Sequence, residues 1–274
     1  MEHTQYRARP SPLQPNPLQL GHLRAAVARI ERSGVADGLP SLPFGLPDID
    51  AALPGGGLAR SALHEVLGIG PDLHHAAAAA ARFAAGVLAR LPGPVLWVME
   101  RADLFAPGLA GAGLHPDRVV YARMPRQRAN GKVGGRDGVL LVMEEGLRHR
   151  SLAGVVAELS GPLSLTASRR LQLAAEAGGA MALVLRRPWA GDVPEGATAA
   201  ATRWQVGALP SAPAMPHAPE VPGLGQVRWR LDLLRSRGGR PGTWDVEACD
   251  AQGRLGVVSP LVHGPAAAAF ARTG

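Results

Sequence analysis

The chain has 274 residues, of which 46 % are hydrophobic and 19 % are charged, a composition typical of a globular protein rather than a disordered one. It contains no run of 18 apolar residues, so we expect no transmembrane helix and no membrane contact, and its one cysteine, Cys249, excludes an internal disulfide and a cysteine-based zinc site. The formal net charge of +7 favours an acidic protein or a nucleic acid as partner. Because the first residues do not resemble a secretory signal, we expect a cytoplasmic protein.

The N-terminal part of the chain differs in composition from the rest. Residues 1–17 contain four prolines, which favour an extended or disordered arm. Residues 18–33 are predicted to form a helix, because apolar side chains recur there every three or four positions. The members of this apolar stripe are Leu20, Leu23, Val27 and Ile30. A link rich in Gly and Pro follows, so the helix must dock on the body of this chain or on another protein to be stable.

The body, residues 40–262, alternates between short apolar segments and longer amphipathic ones. Strands are predicted at 61–67, 94–99, 118–122, 152–159, 180–185 and 203–206. Helices are predicted at 73–90, 137–150 and 164–177. This alternation is typical of an α/β fold with a mostly parallel, doubly wound sheet.

The C-terminal part of the body, residues 226–247, is predicted to form an antiparallel hairpin. Its two strand-like segments flank a Gly-rich tip that carries Arg235, Arg237 and Arg240. Trp229 shares a strand face with two leucines, and we therefore expect it in the core. One more edge strand is predicted at 255–258, and residues 263–274 are expected to form a flexible tail.

A glycine-rich segment before the first core strand has a specific pattern. Within residues 42–61, Gly45, Ile49 and Asp50 belong to a short predicted helix, and three glycines follow at 55–57. This order resembles the lead-in segment of RecA-like ATPase cores, in which a phosphate-binding loop comes directly after the first core strand. The resemblance implies a RecA-like fold with that loop at residues 68–75.

The phosphate-binding loop is degenerate in this sequence. Its positions are occupied by Gly68, Gly70, Pro71, Asp72, Leu73, His74 and His75. Pro71 removes a backbone N–H, Leu73 replaces a glycine where the backbone must approach the phosphates, and no lysine or hydroxyl side chain follows. Asp72 stands at the expected N-cap of the next helix, where its charge competes with an anion. The sequence therefore predicts no catalysis, no nucleotide cofactor and no metal site.

Two acidic residues stand where the resemblance implies catalytic carboxylates. Glu100 follows the strand at 94–99, at the position of the glutamate that orients the attacking water in RecA-like ATPases. Glu158 belongs to the strand at 152–159, at the position of the aspartate that holds Mg²⁺. Because the phosphate loop is degenerate, both acids are interpreted as vestigial.

Residues 18–262 as a whole resemble the ImuA family, RecA-like accessory proteins of bacterial damage-induced mutagenesis. The resemblance rests on the lead-in segment, the degenerate loop and the closing basic segment from Arg228 to Trp244. It implies a non-catalytic role in SOS-induced translesion DNA synthesis, as a docking platform for the mutagenic polymerase complex. The implied partners are a catalytically inactive Y-family polymerase-like protein, an error-prone replicative-type polymerase, and RecA. Three alternatives stay open, namely a cell-division inhibitor similar to SulA, an ATPase with an atypical phosphate loop, and a general single-strand DNA binder.

Two basic clusters are candidates for binding DNA or a partner protein. One is a glycine-containing loop with Arg126, Arg128 and Lys132, and the other is the hairpin tip. Arginines on glycine-rich loops can follow a phosphate backbone, and neighbouring tryptophans can stack on bases. The alternative is that both clusters are solvated surface loops.

Overall fold

The computed structural model describes residues 40–70, 73–124, 134–187, 196–211, 213–215 and 225–258, together with 218, 221 and 223. Several predicted features lie outside the described residues: the arm and helix at 1–33, Pro71, Asp72, the loop residues Arg126, Arg128 and Lys132, and the tail at 263–274. Of Leu73 and His74, only the backbone is described.

The described residues form eleven strands and five helices. The strands are β1 Ser41–Leu42, β2 Leu58–Ala59, β3 Leu63–Ile69, β4 Val95–Met99, β5 Val119–Arg123, β6 Gly154–Ser160, β7 Met181–Arg187, β8 Thr202–Leu209, β9 Arg228–Ser236, β10 Gly242–Glu247 and β11 Gly256–Val257. The helices are α1 Pro47–Asp50, α2 Leu73–Ala89, α3 Ala106–Ala110, α4 Gly135–Leu147 and α5 Leu165–Gly178. Within the described part of the chain, none of the helices has the length and apolar character needed to span a membrane.

Nine of the strands form one mixed sheet in the order β11-β10-β9-β8-β3-β7-β6-β4-β5. All neighbours from β5 to β8 pair in parallel, and β8 to β11 continue the sheet with antiparallel pairs. The predicted α/β class with a mostly parallel sheet is therefore confirmed. The sheet is nevertheless mixed rather than simply doubly wound, because the C-terminal hairpin β9–β10 adds to its β8 edge. β1 and β2 form a separate two-stranded ribbon in the lead-in segment.

Side chains on the two faces of the sheet belong to two separate cores. On one face α2 and α3 cover an aromatic cluster, and on the other face α4 and α5 cover mainly aliphatic side chains. In the first core, Phe44 lies 5.9 Å from Phe83 and 5.5 Å from Trp204, and Phe83 lies 6.5 Å from Trp229 between ring centroids. Trp229 is buried, as its strand face predicts. Burying a large apolar side chain contributes about 1.5–3 kcal/mol, so this cluster attaches β8 and β9 firmly to the parallel half of the sheet.

Helix α2 is built mainly from alanine, with six in succession at residues 76–81. Alanine is the strongest helix former and has the smallest side chain with a Cβ, so the helix is stable and its backbone can approach the sheet closely. Pro92 follows the helix and prevents its continuation. The small side chains of α2 leave space beside α3, and that space becomes the cleft described below.

Candidate functional site

One carboxylate closes the lead-in segment into a turn. Asp50, the last residue of α1, accepts hydrogen bonds from the backbone N–H groups of Phe44 at 2.6 Å and Gly45 at 2.9 Å. Gly45 has a φ of 81°, a region that favours glycine. Ile49 of the same helix is buried in the core. Gly45, Ile49 and Asp50 together hold Phe44 against the aromatic core. This local structural role explains their spacing in the sequence.

The segment predicted as a degenerate phosphate loop joins β3 to α2. Three residues, 70–72, separate the strand from the helix. A β-carbon at Gly68 would overlap the backbone carbonyl of Ala76, so the first turn of α2 lies directly against the end of β3. His75 is exposed on this turn. The connection is thus short, and the helix backbone packs closely against the strand.

Glu158 lies inside β6, which continues two residues beyond it to Ser160. Its side chain is only 5 % exposed. Trp97 Nε1 donates a hydrogen bond to Glu158 Oε1 at 2.7 Å, and Arg187 Nε donates one to Oε2 at 3.0 Å. Both oxygens of this carboxylate therefore already have protein donors.

Arg187, the last residue of β7, joins Glu158 to Asp103. Its Nη1 donates to Asp103 Oδ2 at 2.8 Å, and its Nη2 donates to both carboxylates. These hydrogen bonds lower the pKa of Asp103, because they stabilise the charged carboxylate. Asp103, Arg187 and Glu158 therefore form one ion-pair cluster. The guanidinium of Arg187 occupies the position beside Glu158 to which a metal cation would be attracted.

Glu100 follows β4 directly and is half-buried. Because β4 and β6 pair in parallel, Glu100 and Glu158 lie toward the same carboxyl edge of the sheet. Sequence reasoning did not identify Arg187 as the partner of Glu158. The available signal was a pair of adjacent arginines at the end of an otherwise apolar strand, since a charge in such a position usually has a partner.

A second buried charge cluster, also missed from the sequence, lies on the opposite face of the sheet. Glu65 in β3 is fully buried and pairs with Arg186 at 3.4 Å and Arg203 at 3.3 Å. The hydroxyl of Thr198 donates to the same carboxylate. Burial lowers the pKa of Arg186, and the charge of Glu65 opposes that effect. This cluster joins β3, β7 and β8 across the centre of the sheet.

His64, adjacent to Glu65, faces the aromatic core and is neutral. Its Nε2 lies 2.8 Å from the carbonyl oxygen of Ala59, which can only accept, so Nε2 carries the proton. Its Nδ1 accepts from the hydroxyl of Thr202 at 2.8 Å, and that oxygen in turn accepts from Trp204 Nε1 at 2.9 Å. Burial lowers the pKa of His64 to about 4, and the positive charge of Arg237 acts in the same direction.

A cleft of about 230 Å³ lies between α2 and the segment that follows β4. Ala77, Ala78 and Ala81 of α2 form one wall, and Leu104, Phe105, Gly108 and Leu109 form the other. Asp103, Glu158 and Arg187 lie among its lining residues, so the cleft adjoins the carboxyl edge of the parallel strands. In open α/β sheets, ligands bind preferentially at this edge.

The basic hairpin tip lies at the opposite edge, because Ser236 at the end of β9 pairs with Thr202 at the start of β8. It packs on the lead-in segment: the backbone N–H of Arg240 donates to the carbonyl of Ala52 at 2.9 Å. Arg235 Nη1 donates to the carbonyl of Thr198 at 2.6 Å. Arg237 is half-buried and Arg240 is exposed. Arg235, Arg237 and Arg240 therefore differ in their exposure to solvent and do not form one uniformly exposed basic cluster.

Comparison with known proteins identifies relatives over most of the chain, although no protein-family model matches. The chain is similar to Protein ImuA of Caulobacter vibrioides, both in strain NA1000 / CB15N and in strain ATCC 19089 / CIP 103742 / CB 15. In each case the identity is 41 % over 228 residues, which cover 80 % of this chain and 88 % of the relative. The chain belongs to the ImuA family. The family resemblance that the sequence motifs indicate is thereby confirmed.

In this ImuA-family chain the predicted residues separate into two regions. Gly68 lies at the end of β3, Gly70 follows that strand, and His75 lies in the first turn of α2. Glu100 and Glu158 lie toward the same carboxyl edge of the sheet. The hairpin arginines lie at the amino edge, so the two regions do not form one continuous site. Any ligand of the carboxyl edge must therefore be recognised without the hairpin tip.

Proposed function

We propose that this chain is a RecA-like accessory protein without catalytic activity, which serves SOS-induced translesion DNA synthesis as a docking platform for the mutagenic polymerase complex. The pathway follows from the ImuA family to which the chain belongs. The proposed direct partner is a catalytically inactive Y-family polymerase-like protein. An error-prone replicative-type polymerase and RecA are proposed as further members of the assembly.

Two features support a RecA-like core. The central strand β3 leads directly into α2, and its parallel neighbours β7 and β8 flank it on either side. The lead-in segment holds Phe44 on the core through Asp50, which gives its glycine–aspartate pattern a structural role. Both features agree with the resemblance on which the RecA-like assignment rests.

The proposed absence of catalysis rests mainly on the hydrogen bonds that other side chains donate to the Glu158 carboxylate. Mg²⁺ is bound by carboxylate oxygens and retains several waters, so its site needs room and an excess of negative charge. Here Trp97 and Arg187 donate to the two oxygens of Glu158, and the guanidinium supplies the positive charge. A divalent cation at this position would be repelled by Arg187 and would have to replace existing hydrogen bonds.

The β3–α2 connection supports the same conclusion. A phosphate loop surrounds its anion with several consecutive backbone N–H groups and has a glycine where the backbone approaches the phosphates. In this chain Pro71 lacks one of those N–H groups, and Leu73 stands at the position of that glycine. The lysine and hydroxyl that would bind phosphate and Mg²⁺ are replaced in the sequence by histidines.

We assign docking to the β5 edge of the sheet. Among the described residues, β5 pairs with β4 on one side and with no strand on the other. Val120 is 56 % exposed and Tyr121 is 42 % exposed, on opposite faces of this edge. An edge strand with free backbone groups and apolar side chains is a template for pairing with another chain. The other end of the sheet is only the two-residue strand β11, which offers a much shorter template.

The absence of nucleotide chemistry is tested with purified protein and Mg²⁺-ATP. We expect no saturable rise in melting temperature and no phosphate release above the blank. Saturable stabilisation, or phosphate release that is abolished by Glu100→Gln, would favour the atypical ATPase instead.

The docking role is tested by co-purification with the polymerase-like partner from the same genome. We expect the double change Val120→Lys and Tyr121→Lys to abolish co-purification without lowering the melting temperature. Leu173→Lys is the matched control, because Leu173 is 64 % exposed on α5, away from the β5 edge. Retention of the partner by the β5 variant would refute the assignment of this edge.

A further inference from the structure

The outer side of β5 has unpaired backbone groups at two positions. Met124 N–H donates to the carbonyl of Met99 at 2.8 Å, and Arg123 is the residue of β5 in register with Met99. Because the backbone groups of successive strand residues point to opposite sides, the even-numbered residues of β5 face β4 and the odd-numbered ones face outward. The N–H of Val119 already donates within the preceding turn. Among the described residues, the N–H and C=O groups of Tyr121 and Arg123 therefore have no backbone partner.

The side chains at this edge combine apolar surface with positive charge. Tyr121 and Arg123 lie on one face of the strand, Val120 lies on the other, and all three are exposed. None of the ion pairs within the described residues includes Arg123. Arg101, which follows the end of β4, is exposed as well. A strand that is added here meets an apolar side chain on each face and a guanidinium at the carboxyl end of β5.

The charge of this part of the chain selects the kind of segment that fits. Between residues 118 and 136 the sequence has six cationic residues and no acidic one. A second copy of this chain would bring the same positive charge to the edge, and the formal net charge of +7 adds to the repulsion. Cross-strand pairs of opposite charge stabilise a sheet, whereas like charges directly opposite each other destabilise it. An acidic segment of another protein therefore fits this edge better than a second copy does.

We propose that β5 binds an extended acidic segment of a partner protein as an additional antiparallel strand. The carboxylate of the segment lies opposite Arg123, and two of its apolar side chains contact Tyr121 and Val120 on the two faces. In such complexes the backbone hydrogen bonds provide affinity and the side chains provide specificity. The antiparallel direction is favoured because antiparallel pairs are slightly more stable per residue than parallel ones. The proposal rests on the proposed function in taking β5 as the docking edge, and it adds the charge, conformation and direction of the ligand.

The test uses three fluorescent peptides of equal length and the full-length protein. The parent peptide has the core aspartate, threonine, isoleucine, valine and threonine in that order, which places aspartate opposite Arg123, isoleucine opposite Tyr121 and valine opposite Val120. The second peptide has lysine in place of aspartate. The third has N-methyl groups on aspartate and isoleucine, which remove the two N–H groups directed at β5 and keep the charge. We expect a saturable anisotropy change with the parent peptide, binding about fivefold or more weaker with lysine, and about tenfold or more weaker with the methyl groups.

Reversal of one charge on the protein locates the carboxylate of the peptide. Arg123→Glu should weaken binding of the parent peptide about fivefold or more and should make the lysine peptide the tighter ligand. Arg169→Glu is the matched control, because Arg169 is exposed on α5, which packs on β3 and β7 rather than on β5. We expect this control to leave both affinities within about twofold.

Hydrogen exchange measured for each residue by NMR examines the backbone contacts. With saturating parent peptide, the amides of Tyr121 and Arg123 should exchange more slowly, because they become bonded to the added strand. The amides of Val120 and Ala122 face β4 and should change little.

Three results would overturn the inference: no saturable binding of the parent peptide, equal affinities for the aspartate and lysine peptides, or equal affinities for the parent and methylated peptides. Dimerisation of the protein alone that is abolished by Val120→Lys with Tyr121→Lys would also overturn it, since the edge would then bind a second copy. If that double variant loses the polymerase-like partner while the peptides bind equally, the docking edge stands and its acidic ligand is refuted. If the variant retains the partner while the peptides behave as expected, the proposed function of the edge is refuted and the peptide site stands.

Discussion

Replacing Arg187 by methionine removes the positive charge from the cluster at the carboxyl edge and keeps a side chain of comparable length. Glu158 then retains the hydrogen bond from Trp97 at 2.7 Å but loses its only ion-pair partner among the described residues. Its side chain is 5 % exposed, so water can replace little of what is lost. Asp103 is 43 % exposed and can be rehydrated.

These exposures determine the expected size of the effect. Removing one partner of a buried ion pair costs about 3–5 kcal/mol, because the other charge stays buried without compensation. The exposed pair with Asp103 adds at most about 1 kcal/mol. Since Arg187 itself is one-fifth exposed, we place the loss in the free energy of unfolding near the lower limit, about 3 kcal/mol. Adding Glu158→Gln removes the buried charge and keeps an oxygen acceptor for Trp97, so we expect the double variant to recover most of this loss.

The assay is urea unfolding at neutral pH, followed by tryptophan fluorescence. Arg148→Met serves as control, because Arg148 is 54 % exposed, its partner Glu145 is 60 % exposed, and its buried partner Glu144 keeps the ion pair with Arg170, so the expected loss is below about 1 kcal/mol. A loss below about 1 kcal/mol for Arg187→Met would show that Glu158 does not depend on this arginine. A double variant as unstable as Arg187→Met would assign the loss to packing rather than to charge.

Two further predictions concern pH and salt. His64 has a pKa of about 4 in the folded state and about 6.5 in the unfolded state, so between these pH values the unfolded state binds one more proton. The free energy of unfolding should therefore fall by about 2 kcal/mol from pH 7 to pH 5. The variant His64→Gln should lack this part of the shift in the urea midpoint. An equal shift in both proteins would refute this assignment. For single-stranded DNA binding at the hairpin tip, Arg237→Ala with Arg240→Ala should reduce the slope of log K against log salt by about 1.4, since each phosphate contact contributes about 0.7. An unchanged slope would assign the tip to a protein contact, and Arg169→Ala with Arg170→Ala on α5 is the matched control.

Local patterns in the sequence were sufficient for the order and type of the main elements. The predicted helix at 73–90 is α2, at Leu73–Ala89, and the predicted strand at 94–99 is β4, at Val95–Met99. The burial of Trp229 followed from the alternation of strand side chains. These properties depend on residues a few positions apart, and for that reason a single sequence contains them. The short helix α3 was missed because Ala106–Ala110 includes a proline and a glycine, both weak helix formers.

The sequence by itself determined the α/β alternation and the glycine–aspartate pattern of the lead-in segment, because each is a matter of residue type and local spacing. Only the tertiary structure decided which charges meet. Arg187 reaches Asp103 across 84 positions, Arg186 reaches Glu65 across 121, and Arg235 reaches Thr198 across 37. Such pairs form because neighbouring strands of the sheet are distant in sequence, and no local pattern specifies them. The cleft beside Phe105 depends on the same long-range packing, since its walls come from α2, from the segment after β4 and from the ends of β6 and β7.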